Sequence, residues 1–136
     1  MKALIDTNVI LDLLGKREPF FSDSSKIIFL SAEEKLEAYI TSSIVTDIYY
    51  IARRHYMQES EARDMLYKLL KIVGVLEVRQ ADCFKAFDLP MEDYEDALIA
   101  VCARRINAEY IITRDTEHFA NSPVPPITPG DFLKTL

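Results

Sequence analysis

The chain has 136 residues, of which 49% are hydrophobic and 28% charged, and this is the composition of one ordinary globular domain. That apolar content, with only 3 glycines and 6 prolines, excludes a disordered or collagen-like chain, and no apolar run approaches the roughly 18 residues of a membrane helix. The net charge of −6 argues against nucleic-acid binding by bulk attraction, although clustered carboxylates can coexist with a local basic surface. We therefore expect a single domain over residues 1–136.

Short apolar runs alternate with longer amphipathic runs, and we predict strands and helices for them in turn. The first half is predicted as a strand at 3–5, a helix at 9–14 ended by Gly15, a helix capped within 22–25, a strand at 38–40, a helix capped by the hydroxyls of 41–43, and a helix from Ser60 with Gly74 as its cap. The second half is predicted as a strand at 75–78, a short helix at 81–87, a buried helix from Asp93, a strand at 110–113 and a final helix from Gly130 or Asp131.

This alternation of strands and helices predicts an α/β fold with a parallel sheet that is covered on both faces. Right-handed crossovers then place the carboxyl ends of all the strands at one edge, where open sheets of this kind bind ligands. Cys83 and Cys102 lie far apart and form no CxxC pair, so we interpret both as reduced thiols of a cytoplasmic protein.

Five acidic residues fall at that predicted edge. Asp6 and Asp115 directly follow strands, Asp47 lies early in the helix after the second strand, and Asp93 and Asp96 share the first turn of the buried helix. Each acid alone has a structural explanation as a helix cap or as a partner of the helix dipole. Asp47 and Asp96 fit that explanation less well, because apolar residues surround them and no Lys or His lies in their turns.

Carboxylates this close must either be protonated or share a cation. A set of oxygen ligands suits Mg²⁺ or Mn²⁺, which can orient a water for attack on a phosphodiester. The motifs of other types of catalysis are absent. There is no GxSxG or CxxC motif and no glycine-rich phosphate loop, and His55 and His118 are isolated. The residues therefore predict metal-dependent phosphodiester hydrolysis.

Five segments carry motifs in a specific order and spacing. They are LIDTNVILD at 4–12, TSSIVTD at 41–47, DYEDAL at 93–98, IITRD at 111–115 with Phe119, and ITPGDFL at 127–133. Each motif is weak alone, but together they resemble the PIN domain, a family of metal-dependent ribonucleases, over nearly the whole chain. The resemblance implies a three-layer α/β/α sandwich with a mostly parallel central sheet, and cleavage of single-stranded RNA.

The resemblance also implies a catalytic site. Asp6, Asp47, Asp96 and Asp115 would form it, the first three as metal ligands and Asp115 as support for a second metal or the attacking water. In this family the acid of the second motif is more often Glu, so the shorter Asp47 is expected to reach the metal through water.

Neighbouring residues are implied to assist these acids. Thr7, Asn8 and Thr113 would hold the carboxylates in place. Asp93 is either a further metal ligand or a helix cap, and we favour the site role.

A lone PIN domain of this length resembles the VapC-type toxins of toxin–antitoxin pairs. This implies a small antitoxin partner, whose Arg could pair with the carboxylates, and a homodimer. Arg53, Arg54 and Arg114 are the predicted contacts to RNA. The alternatives are a non-catalytic module that binds RNA or protein, and a nuclease of RNA processing outside a toxin–antitoxin system.

Overall fold

Five short strands form one parallel sheet at the centre of the computed structural model, which describes residues 1–136. In chain order they are β1 (Lys2–Ile5), β2 (Glu37–Thr41), β3 (Gly74–Leu76), β4 (Tyr110–Ile112) and β5 (Pro126–Ile127). They lie side by side in the order β3-β2-β1-β4-β5, and every neighbouring pair is parallel. The chain first extends the sheet on one side of β1, with β2 and β3, and then on the other side, with β4 and β5. The β1–β4 pair is therefore the switch point, which is where sheets of this kind bind ligands.

Seven helices accompany these strands. They are α1 (Thr7–Leu14), α2 (Phe21–Ala32), α3 (Val45–His55), α4 (Glu59–Ile72), α5 (Gln80–Lys85), α6 (Tyr94–Arg105) and α7 (Pro129–Lys134), with short 3-10 turns at Ser42–Ile44, Ala86–Asp88 and Thr116–Phe119. No helix of the chain combines the length and the apolar character that crossing a bilayer requires.

Helices cover both faces of the sheet. Ala3, Leu4 and Ile5 of β1 point alternately to opposite faces, yet each is at most 1% exposed. This continuous burial is typical of a parallel strand between two helical layers, so the predicted α/β/α sandwich is confirmed. The burial of α6 is confirmed as well, because every residue from Ala97 to Ala103 is buried.

Two predicted N-terminal helix caps are wrong. The second helix begins at Phe21, so the polar run 22–25 lies inside α2 and its N-terminus has no side-chain cap. The hydroxyls of 41–43 do not cap α3, because this segment forms a 3-10 turn in which Thr41 and Ser43 bond to each other at 2.8 Å. Ser42 instead accepts a hydrogen bond from the backbone of Val78, which lies beyond β3 rather than inside it.

Gly74 has a packing role instead of the predicted capping role. Val73 caps α4, and Gly74 is already the first residue of β3. A Cβ at Gly74 would lie 2.7 Å from the ring of Tyr39 on the neighbouring strand β2. Only glycine lets the ring lie this close to the backbone of β3, and periodicity along the chain does not report such a contact.

Candidate active site

Four predicted acids line one open cavity of about 390 Å³ at the carboxyl edge of the sheet. Asp6 follows β1 and caps α1, Asp115 follows β4, and Asp47 and Asp96 lie in the first turns of α3 and α6. The complete lining consists of Asp6, Thr7, Asn8, Leu11, Arg17, Asp47, Ile51, Glu95, Asp96, Ile99 and Asp115. The sheet thus brings together side chains from distant parts of the chain, as the sequence predicts.

Asp6 is the most rigidly held of these acids. Its Oδ1 accepts a hydrogen bond of 2.8 Å from the backbone N–H of Thr7, and its Oδ2 accepts one of 2.8 Å from the hydroxyl of Thr113. Burial raises the pKa of Asp6, the two hydrogen bonds partly oppose that rise, and the charge of Asp115 adds to it. The carboxylate is therefore fixed in position while its charge is poorly compensated.

Asn8 joins the ends of β1 and β4. Its side-chain amide donates to Asp115 Oδ2 at 3.1 Å and to Thr113 Oγ1 at 3.3 Å, and its carbonyl accepts from the backbone N–H of Arg114 at 3.2 Å. The side chains of Asn8 and Thr113 therefore orient the acids as expected. Thr7 contributes through its backbone N–H to Asp6.

Asp96 lies in the same electrostatic environment. Burial and the negative charges of Asp93 and Asp6 raise its pKa to about 6, against a smaller opposing effect of His118. The Nδ1 atom of His118 is 3.7 Å from Asp96 Oδ2, so this histidine lies at the edge of the acidic group.

Glu95 is a cavity residue that the sequence analysis did not single out. Its pKa is raised by burial first and then by the negative charges of Asp47 and Asp93. The signal was its position beside Asp96 within the DYEDAL segment. Glu95 therefore adds a fifth carboxylate to the four predicted acids of the cavity.

The structure favours the capping role of Asp93 over the site role that we favoured from the sequence. Its Oδ1 accepts a hydrogen bond of 2.9 Å from the backbone N–H of Asp96, which is the geometry of a helix N-cap. Asp93 is exposed and does not line the acidic cavity.

The three arginines predicted to contact RNA differ in their surroundings. Arg53 and Arg54 are exposed in the last turn of α3, and Arg54 lies seven residues after Asp47 on the same helix face. Arg114 is instead bound to the buried Asp12, with its Nε 2.6 Å from Oδ2 and its Nη2 3.2 Å from Oδ1, and it stacks over Phe20. Arg114 lines a separate cavity and not the acidic one, so these surroundings do not favour the predicted contact of Arg114 with RNA.

A hydrated divalent ion fits this set of donors. No three Asp, Glu, His or Cys side chains are clustered tightly enough to hold an ion by themselves. Mg²⁺, however, usually keeps several waters and is held by only one or two carboxylates. Burial and neighbouring negative charges raise the pKa values of Asp6 and Asp96, and a divalent ion bound beside them would favour their ionised forms.

Comparisons with known proteins identify the family and the fold of the chain. A family model described as the PIN domain matches residues 2–117. None of the curated proteins is a significant sequence match to the chain. VapBC2 from Rickettsia felis, solved with a DNA fragment from the promoter, has a TM-score of 0.74 at 18% identity, covering 94% of this chain and 98% of the matched one.

Two further solved structures have the same fold. DNA-bound VapBC from Salmonella typhimurium has a TM-score of 0.70 at 16% identity, covering 95% of this chain and 98% of the matched one. VapC20 from Mycobacterium tuberculosis, described as a Sarcin-Ricin loop cleaving toxin, has a TM-score of 0.67 at 13% identity, covering 87% and 93%. Identities this low show the shared fold alone, whereas the family model matches most of the sequence itself, and the chain therefore belongs to the PIN-domain family.

Proposed function

We propose that this chain is an endoribonuclease that hydrolyses phosphodiester bonds of single-stranded RNA and depends on Mg²⁺ or Mn²⁺. The observation that carries the proposal is the meeting of Asp6, Asp47, Asp96 and Asp115 in one open cavity at the switch point of the sheet. A helix cap accounts for Asp6 and the helix dipole for Asp47 and Asp96, but neither explains why the four acids line the same cavity.

The roles of the acids follow from how each is held. Asp6 and Asp96, whose pKa values are raised by burial and by neighbouring negative charges, are the proposed principal ligands, and Asp47 and Glu95 would complete the shell directly or through water. When bound, the ion would lower the pKa of a water and stabilise the charge that develops on the phosphate. Asp115, whose Oδ2 accepts a hydrogen bond from Asn8, is the proposed acceptor of a hydrogen bond from the attacking water.

We further propose that the nuclease is the toxin of a toxin–antitoxin pair. The support is the VapC-like fold, since several of the similar solved structures are toxin–antitoxin complexes. The proposed partners are a small antitoxin that covers the acidic cavity and a second copy of the chain. Induced expression in a bacterial host should stop growth, whereas the Asp96→Asn variant should not.

The decisive experiment is cleavage of a labelled single-stranded RNA in Mn²⁺ or Mg²⁺. We expect cleavage by the wild type, none in EDTA, and a loss of at least 100-fold in Asp96→Asn, because this substitution removes a ligand charge from the centre of the cavity. The control is Asp88→Asn, which removes an exposed charge outside the cavity and should cleave normally. Products with a 5′-phosphate and a 3′-hydroxyl would exclude contaminating ribonucleases that use the 2′-hydroxyl as nucleophile, because those enzymes leave a 2′,3′-cyclic phosphate or a 3′-phosphate.

Two outcomes would contradict the proposal. Equal cleavage by Asp96→Asn would place the active site elsewhere. Absence of both cleavage and Mn²⁺ binding in the wild type would favour the non-catalytic module that binds RNA or protein.

A further inference from the structure

Arg17 is the one basic side chain among the residues that line the acidic cavity. It follows the end of α1 and comes from a different segment than the arginines predicted to contact RNA. An arginine among five carboxylates would be expected to pair with one of them, because the Coulomb attraction between opposite charges is strongest at short distance. Arg17 does not do so.

Its partner is Asp12, which does not line the cavity and is completely buried. The Nε of Arg17 donates to Asp12 Oδ1 at 2.9 Å, and the backbone N–H of Arg17 donates to the Asp12 carbonyl at 3.0 Å. The guanidinium also lies over the ring of Tyr56, 5.9 Å from its centroid. These contacts hold the arginine side chain and orient the plane of its guanidinium. Neither Nη atom makes a hydrogen bond within the protein.

A second arginine, Arg114, also pairs with Asp12. Arg114 binds it with two hydrogen bonds, from Nε at 2.6 Å and Nη2 at 3.2 Å. One buried carboxylate is thus shared by two guanidinium groups, and the three side chains together carry one surplus positive charge. Arg114 stacks over Phe20 in a separate cavity, so the surplus charge that faces the acidic cavity belongs to Arg17.

We propose that Arg17 binds a phosphate of the RNA strand through its free Nη atoms. The inference rests on the nuclease function proposed above and names the residue that holds the substrate there. A phosphodiester that enters the cavity meets Asp6, Asp47, Glu95, Asp96 and Asp115, which repel it. A guanidinium presents paired N–H donors that match the geometry of phosphate oxygens, so Arg17 offsets this repulsion at a defined position.

The test measures RNA binding separately from cleavage. In the Asp96→Asn background, which keeps the RNA intact, the Kd of a fluorescent single-stranded RNA is determined by anisotropy over a range of salt concentrations. Arg17→Met should raise Kd about tenfold or more, because a charge-assisted hydrogen bond is lost. The slope of log Kd against log salt should fall by about 0.7, as expected for one phosphate contact to a single strand.

Three further variants separate phosphate binding from charge and from folding. Arg104→Met removes an exposed charge at the far end of α6 and should leave Kd within about twofold. Arg114→Met removes the other arginine that pairs with Asp12, and this arginine lies outside the acidic cavity. It should therefore lower Tm as much as Arg17→Met does, and the Kd should stay that of the parent. Arg17→Lys keeps the charge but not the paired donors, and it should raise Kd about three- to tenfold.

The outcomes distinguish this inference from the proposed function. If the wild type cleaves RNA and Arg17→Met binds it with unchanged Kd and slope, Arg17 has only a structural role and the inference is overturned while the nuclease stands. An equal rise in Kd for Arg17→Met and Arg114→Met would likewise show that disruption of Asp12 is the cause. If the wild type neither binds nor cleaves RNA, both proposals fail together.

Discussion

A single carboxylate does two things at Asp6. Its Oδ1 caps α1 by accepting a hydrogen bond from the backbone N–H of Thr7. Its Oδ2 accepts a hydrogen bond from the hydroxyl of Thr113, which follows β4. These bonds position the group, yet burial still raises its pKa, so the folded chain holds a carboxylate that gains from a cation. The charge of Asp6 therefore lowers the stability of the metal-free fold, whereas it increases the affinity for a cation.

Asp93 allows a test of capping against metal binding. Asp93→Asn removes the charge but preserves the capping oxygen, whereas Asp93→Ala removes both. We expect Asp93→Ala to lower the free energy of unfolding by about 1 kcal/mol and Asp93→Asn to change it little. The Mn²⁺ affinity, measured by titration calorimetry, should fall less than threefold in Asp93→Asn. A loss of tenfold or more there would restore Asp93 as a ligand.

Glu95→Gln is the matching substitution on the cavity side. Because Glu95 lies among the acids and its charge interacts with Asp47, its removal should weaken Mn²⁺ binding about tenfold. The thermal stability in EDTA should stay the same or rise, since a repulsive charge is lost. Unchanged Mn²⁺ affinity would assign the site to the four aspartates alone.

Among the elements, α5 and α6 are connected through one buried carboxylate. Asp82 on α5 accepts hydrogen bonds from the backbone N–H of Arg79 at 2.9 Å and from Nε of Arg105 on α6 at 3.2 Å. Burial alone would raise the pKa of Asp82, but these hydrogen bonds and the charge of Arg105 outweigh it and lower the pKa below the usual value of 3.8. This link fixes the helix that carries Asp96 to its neighbour.

The lowered pKa of Asp82 predicts a pH-dependent stability. The ionised carboxylate stabilises the folded state above the usual pKa of 3.8, and the stabilisation is lost as the pH falls below that value. Asp82→Asn should therefore lower the free energy of unfolding at pH 7 by about 1–3 kcal/mol, and the difference should shrink at pH 3. Urea denaturation at the two pH values measures it.

Asp64→Asn is the control, because it removes an exposed ion pair with Lys68 and should change stability by less than about 1 kcal/mol. If the difference between the wild type and Asp82→Asn were the same at pH 3 as at pH 7, packing rather than charge would explain it.

For the whole molecule, the net charge of −6 coexists with a local cluster of acids and with separate exposed arginines. Five carboxylates line one cavity, while the exposed Arg53 and Arg54 lie at the other end of α3. An acidic protein can therefore bind an RNA strand if a cation and a few placed arginines act locally.

Metal binding should stabilise the whole fold. An ion that binds only the folded state at 100 times its Kd contributes about 2.7 kcal/mol, which raises Tm on the order of 5–10 °C for a chain of this length. Differential scanning fluorimetry with Mn²⁺ should show this rise in the wild type and in Asp88→Asn, and no rise in Asp6→Asn. A full rise in Asp6→Asn would contradict the proposed ligand set.

Local patterns in the sequence were sufficient for the fold class and for four of the acids. The alternation of apolar runs predicted a parallel sheet, and the positions of Asp6, Asp47, Asp96 and Asp115 after strands or in first turns placed them at one edge. This works because the strand direction determines which end of every element faces that edge.

The tertiary structure decided what depends on contacts between distant segments. Both Arg17 and Arg114 pair with the buried Asp12, yet Arg17 lines the acidic cavity and Arg114 lines a different one. The ring of Tyr39 is the reason for a glycine at position 74. Burial, pairing and the direction of a long side chain are set by neighbours in space, and the order of residues along the chain does not encode them locally.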